Sequence, residues 1–457
     1  MSSSASSSSS QVGRGRGRRR MVRRDRDGGR RGGRPSSSSS SPPLPRNGVW
    51  PEPFVEALAL QVAIDAVRTS GRLAAAPAIA NVFQVCSTWR AVSRSNHLWQ
   101  DLTRRIWRRQ RLLLDTWREE FIFWHRTTHN FRIRRAVYTR LEIMDGDGNG
   151  NGNELICRRL ALSSMYLACG FVDGSVRLFD LSSGIHVNTY RPHHDDRLGP
   201  FSRAVSGIVI NDEPRLVFAT MDGDIHVAII GGPVTRCAQV GNMVNDGALV
   251  DFAGCRRWWV GLYAGVPGRA FHVWDGVTEE LLYVGESLTD PEAVMGWRML
   301  AEWSESLGRV RVSSLECAVA CTSVGILVLG LRDPLVLGSE DFEEGLVVDA
   351  FDVSGELCLV VDSRGTASVR RIGTMEEVYG FRFRGGGGRI LGCINGGFVF
   401  LCIGGNVRVW DVEDGRQPYY LTERRIREET RALIADERYV AACSGNTQIH
   451  LWDFGAL

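Results

Sequence analysis

Lysine is missing from this chain of 457 residues; all 55 basic side chains are arginine. A GC-rich coding sequence that favours arginine codons gives one reading of that absence, and the function argued below gives another. Long apolar runs are missing too. No stretch of 18 or more apolar residues occurs, so no membrane-spanning helix is expected. The opening segment MSSSASSSSSQ has no apolar core and does not read as a secretory leader. Eleven cysteines occur without a paired spacing framework, which points to reduced thiols inside a cell rather than a disulfide scaffold. No CxxC pair suggests zinc, and no GxSxG or HExxH motif suggests hydrolysis. FRGGGGRI (383–390) is glycine-rich but lacks the Lys-Ser/Thr of a phosphate loop. No enzymatic activity and no cofactor are expected.

What is present is unevenly distributed. The formal net charge of +3 conceals about +10 over residues 1–46, about +8 over 47–140 and about −15 over 141–457. The segments should therefore meet different electrostatic partners.

Residues 1–49 are Ser, Gly, Arg and Pro with little to bury, and a disordered tail is expected. Within it Arg18, Arg19, Arg20, Arg23 and Arg24 form a cluster that reads as a nuclear-import signal. Clustered cations attract acidic receptor grooves and also phosphates, so nucleic-acid contact is a weaker alternative. No aromatic residue interleaves the arginines before Trp50, which argues against base stacking.

Residues 50–135 read as a small all-helical domain. Val55, Leu58, Ala59, Val62 and Ala66 recur at helical spacing, with a second apolar line through Leu60, Ile64 and Val67. A helix with two apolar faces must bury both, against its own domain, the domain that follows or a partner. Pro77 is expected to open the next helix. Val82, Cys86 and Trp89 then share a face, Leu98, Trp99, Leu102 and Ile106 follow, and Trp117, Phe121 and Trp124 continue the period.

Residues 136–457 show self-similarity. YLACGFVDGSVRLFD (166–180), LVFATMDGDIHVAII (216–230), LCLVVDSRGTASVRR (357–371), VFLCIGGNVRVWD (399–411) and YVAACSGNTQIHLWD (439–453) each join an apolar strand, a tight turn and an alternating strand. GVPGRAFHVWD (265–275) and AVACTSVGILVLGLRD (318–333) are weaker copies. Seven units of about 45 residues predict a seven-bladed WD40-like propeller. Asp-Gly at 173–174 and 222–223 suits hairpin turns. The last unit lacks an outer strand, and AVYTRLEI (136–143) is expected to supply it and close the ring.

Other candidates reduce to structure. MDGDGNGNGNE (144–154) matches an EF-hand at Asp145, Asp147, Asn149 and Gly150 but has Ile156 where the last ligand should be. His193-His194-Asp195-Asp196 sits in a Pro-flanked loop and reads as solvated. Cys317 and Cys321 share a strand face and read as core. Asp173 and Asp222 read as intrablade hydrogen-bonding residues. Trp258, Trp259, Trp297 and Trp303 are candidate substrate contacts, with core packing the likelier role for most. No residue is assigned to substrate binding.

WPEPFVEAL, followed some 27 residues later by VCSTWR and then HLWQDL, resembles the F-box, with Trp50-Pro51 in place of Leu-Pro. The resemblance implies docking on a Skp-type adaptor, and through it a cullin scaffold, by Pro51, Phe54, Leu58, Val85, Cys86, Trp89, Leu98 and Trp99. From WPEPF to IHLWDFGAL the chain further resembles the plant STERILE APETALA family, carried by FSRAVSGIVI, ATMDGDIHVA, VNDGALVDF, WWVGLYAGVPGRAFHVWD and LTDPEAVMGW. That resemblance implies a nuclear regulator of floral and organ development. It implies either a transcriptional regulator or the substrate receptor of a cullin-based ubiquitin ligase that removes transcription regulators. The acidic propeller adds the expectation of a substrate with a basic segment. The missing lysines would then spare a receptor held beside an active ligase from modification of its own side chains.

Overall fold

The computed structural model describes residues 50–143, 155–192, 198–210, 214–232, 235–287, 299, 304, 307–343, 346–384, 389–415, 417–421, 426, 429–445 and 448–456. The arginine cluster at 18–24, the acidic stretch 144–154, the loop residues 193–196 and both Trp297 and Trp303 lie outside them.

Five helices come first: α1 (Glu52–Ser70), α2 (Ala75–Phe83), α3 (Ser87–Ala91), α4 (Asn96–Trp107) and α5 (Trp117–Ile133). Helix α1 buries Val55, Ala59 and Ala63, spaced by four, and its small residues let neighbouring helices approach. It stops at Gly71, whose φ of +80° suits glycine and whose N–H donates to the Val67 carbonyl. Pro77 does not open α2. A 3₁₀ turn at Arg72–Ala74 starts the turn earlier and leaves the proline at the third helical position, where its missing N–H is still no loss. Ser95 caps α4 by accepting from Leu98 N. Thr116 and Glu119 form a reciprocal capping box on α5. Trp99 and Phe121 pack with ring centroids 5.2 Å apart in the centre of the helical core.

The strands that follow form the expected seven-bladed propeller, seven sheets of four antiparallel strands. Six blades are sequential, spanning residues 157–190, 205–239, 248–285, 308–341, 348–382 and 390–420. The seventh combines strands at Thr430–Ala435, Tyr439–Ser444 and Gln448–Asp453 with Val137–Glu142, which pairs antiparallel to the last of these. Leu141 lies opposite Ile449, and both are buried in the seam between the last and first blades. The pairing joins the two ends of the propeller and gives the last blade the four strands of the other six.

Neighbouring blades are stitched near the axis. The Ser206 hydroxyl donates to Leu249 O at 2.6 Å, and the Asp251 and Asp352 carboxylates accept from Val310 N at 2.8 Å and Ile394 N at 3.0 Å. Gly207 is required by this closeness: a Cβ there would fall 1.9 Å from Phe252 O of the next blade. Gly174 and Gly223 of the Asp-Gly turns both adopt positive φ. In those turns Asp173 accepts from Ser175 N at 2.9 Å and Asp222 from the Thr220 hydroxyl at 2.7 Å, the turn-holding role read from the sequence.

Helix α5 ties the helical domain to the propeller. Phe131 stacks on Phe454 at 3.6 Å and packs in the core of the last two blades. Asn130 donates to Phe454 O at 2.8 Å, and the Tyr419 hydroxyl donates to Phe131 O at 2.6 Å. Arg132 meets Asp411 at 2.8 Å with both side chains almost fully covered. Around this centre, Arg72 pairs with Glu413 at 2.7 Å, Arg108 with Glu356 at 2.9 Å and Arg109 with Glu437 at 3.0 Å. These acids lie in turns at one end of the barrel, the end at which the innermost strands finish, so the helical domain covers that face.

Candidate docking surface on the helical domain

The eight residues singled out by the F-box resemblance fall into three groups. Pro51, Phe54, Val85 and Cys86 are exposed, Phe54 by 46% and Val85 by 62%. Leu58 and Trp89 are half-buried, and Trp89 packs against the helical core. Leu98 and Trp99 are buried at 2% and 8% exposure. The structure therefore brings six of them to the surface in whole or part, while Leu98 and Trp99 sit beneath as support.

The local backbone explains the outward group. Helix α2 ends at Phe83, and Val85 N bonds back to Val82 O at 3.3 Å. Cys86 is then extended, with φ −161°, before α3 begins. That break turns two consecutive side chains away from the core. Phe54 stands in the first turn of α1, one residue before the buried Val55. Of the second apolar line, Leu60, Ile64 and Val67 are all half-buried, so α1 keeps apolar area that its own domain does not fully cover. The contacts that join the domain to the propeller use other residues: Arg72, Arg108, Arg109, Asn130, Phe131 and Arg132.

The loop between α4 and α5 is organised by Glu120, which is fully buried. Its carboxylate accepts from Leu113 N and Leu114 N at 3.1 Å each and from Trp124 Nε1 at 2.7 Å. A buried carboxylate held by three donors fixes the loop that carries Arg108 and Arg109 to the propeller. Sequence reasoning missed Glu120, because its three partners are met only once the helix and loop have folded together.

On the propeller, Trp258 and Trp259 are 4% and 1% exposed and belong to the blade cores. They are not surface contacts. Cys317 and Cys321 are buried on one strand face in one core cluster, with Val319 between them. Burial pushes the Cys321 thiol up to about 12. Among the described residues no group of three or more His, Cys, Asp or Glu side chains could hold a metal ion. No helix among them is long and apolar enough to cross a membrane.

Fold and surface together define an interaction module: a five-helix domain with an apolar outer patch, fixed on one face of a seven-bladed propeller. The chain is 55% identical over 428 residues to the transcriptional regulator STERILE APETALA of Arabidopsis thaliana, a match that covers 91% of this chain and 95% of that relative. The chain belongs to the STERILE APETALA family. No family model matches it. Among solved structures, the computationally designed protein Ika8 aligns over 66% of this chain and 98% of its own, at 18% identity and a TM-score of 0.44.

Proposed function

We propose that this chain is a non-catalytic substrate receptor of a cullin-based ubiquitin ligase. The helical domain docks on a Skp-type adaptor through Pro51, Phe54, Leu58, Val85, Cys86 and Trp89, over the buried Leu98 and Trp99. The propeller holds a nuclear substrate, a transcription regulator with a basic segment. Ubiquitin transfer belongs to partner subunits, and the receptor contributes by raising the local concentration of substrate. The observation that carries this reading is the exposed apolar group at the start of α1 and the α2–α3 break, set beside a packed helical core. A folded domain gains nothing from large apolar side chains in water, whereas interfaces use such side chains as anchors.

Co-purification with a Skp-type adaptor tests it. Wild type should retain the adaptor, and Leu58→Asp and Trp89→Ala should lose most of it while the propeller stays folded. Retention by both variants would refute the assignment.

The name of the Arabidopsis relative favours a second reading, a nuclear transcriptional regulator acting through nucleic acid or co-regulators. In that case DNA association should depend on the arginine-rich residues 1–46. Their deletion should abolish DNA association under the second reading and leave adaptor binding intact under the first.

A further inference from the structure

Charge around the α2–α3 break is of one sign. Between Asp65 and Asp101 the chain has no acidic residue. That stretch supplies the end of α1, all of α2 and α3, and the start of α4. Its arginines are Arg68, Arg72, Arg90 and Arg94. Arg68 lies 3.6 Å from Asp65, and Arg72 is taken up by Glu413 of the propeller. Arg90 and Arg94 are exposed, on the segment that follows the outward-turned Val85 and Cys86. Arg90 comes directly after Trp89, and Arg94 ends the 3₁₀ turn four positions later. Asn96 then opens α4, whose N-terminus adds a partial positive charge. On α1, Glu52 and Glu56 accompany Phe54, so the cationic part of the face is confined to α3 and the turn after it.

That turn is held from below. Trp99 Nε1 donates to Ser93 O at 2.7 Å, and the Ser93 hydroxyl donates to Arg90 O at 2.7 Å. Arg90 N donates to Cys86 O and Ser95 N to Val92 O, each at 2.9 Å. The backbone that carries both arginines is thereby fixed before any partner arrives, and less ordering is lost on binding. Trp99 thus does more than fill the core beneath the exposed group: it positions the charged turn beside it. An apolar surface alone accepts any apolar partner. One bordered by fixed cations repels a basic surface and draws an acidic one.

We propose that this face takes an acidic protein surface, whose carboxylates meet Arg90 and Arg94 while its apolar side chains cover Val85, Cys86 and Trp89. Guanidinium groups bind carboxylates through paired donors, and exposed pairs of this kind set encounter rate and orientation more than final affinity. The inference rests on the adaptor reading and adds to it the charge that the adaptor must present.

Association kinetics of the full chain with a Skp-type adaptor test it, measured from about 0.05 M to about 0.5 M chloride. For wild type the association rate should fall steeply with salt. Arg90→Gln combined with Arg94→Gln should slow association about tenfold at the lowest salt and flatten the salt dependence. Arg111→Gln with Arg118→Gln, the same loss of charge at exposed positions on the next loop and the start of α5, should change both little. Arg90→Lys with Arg94→Lys keeps the charge and should keep the salt dependence. Wild-type rates and salt dependence in the first variant would overturn the inference and leave the adaptor reading standing. So would equal slowing in the first and second variants, or loss of the salt dependence in the third. No association by wild type at any salt would overturn the adaptor reading and this inference with it. Self-association of the chain alone that requires Arg90 and Arg94 would give the face to a second copy and overturn both.

Discussion

At the scale of single residues, the junction between helices and propeller rests on Phe131. Its ring meets Phe454, Phe398 and Phe400, and it is 1% exposed. Truncation leaves a cavity among rings that cannot collapse onto one another. Phe131→Ala should therefore lower unfolding free energy by about 3–5 kcal/mol in urea titrations. A loss under about 1 kcal/mol would mean that the ion pairs around it hold the junction instead. Asp436 makes a prediction about pH. Burial, and then the nearby Glu437, push its carboxyl up from 3.8 to about 7. The folded state thus binds its proton more tightly than the unfolded state, so this group's contribution to stability falls as pH rises from about 4 to about 7. Comparing urea midpoints across that window, Asp436→Asn should show less decline than wild type; parallel curves would contradict the assignment. The missing lysines carry a third prediction. Exposed arginines such as Arg111 and Arg118, replaced by lysine, should shorten the protein's lifetime in cells in a ligase-dependent way, and an unchanged lifetime would favour the codon explanation.

At the scale of elements, the sequence made the repeating parts legible and left the unique contacts hidden. Seven copies of strand, tight turn and strand reveal a propeller because each blade must solve the same packing problem. The helices were visible through their apolar period, but period alone does not say which partner covers a face. Leu98 and Trp99 share the apolar spacing of the outer residues, yet they point into the helical core. Trp258 and Trp259 are adjacent and so point to opposite sides of their strand; both are buried because a blade is flanked by a neighbour on each side. The grip of α5 could not be read locally, since Phe131 and Asn130 meet residues more than 300 positions away. The strand at Val137–Glu142 invites a direct test. Leu141→Asp places an unpaired carboxylate in the seam between the last and first blades and should cost more than about 3 kcal/mol. Thr139→Asp, two residues back on the same side of that strand but exposed to solvent, should cost little.

At the scale of the whole molecule, division of labour follows from where apolar surface and charge are placed. The helical domain keeps its outer apolar residues clear of the contacts that tie it to the propeller. Fixing that domain on one face leaves the opposite face of the propeller clear of it. A receptor that must hold a substrate at a set distance from a ligase benefits from such a junction, because a loose one would dilute the effective concentration it provides. Whether the outer patch of the helical domain binds a Skp-type adaptor is decided by calorimetric titration of the purified full chain with that adaptor. Wild type should bind stoichiometrically, and Phe54→Asp should lose at least tenfold in affinity with an unchanged thermal midpoint. No binding by wild type, or equal affinity in the variant, would contradict the adaptor assignment.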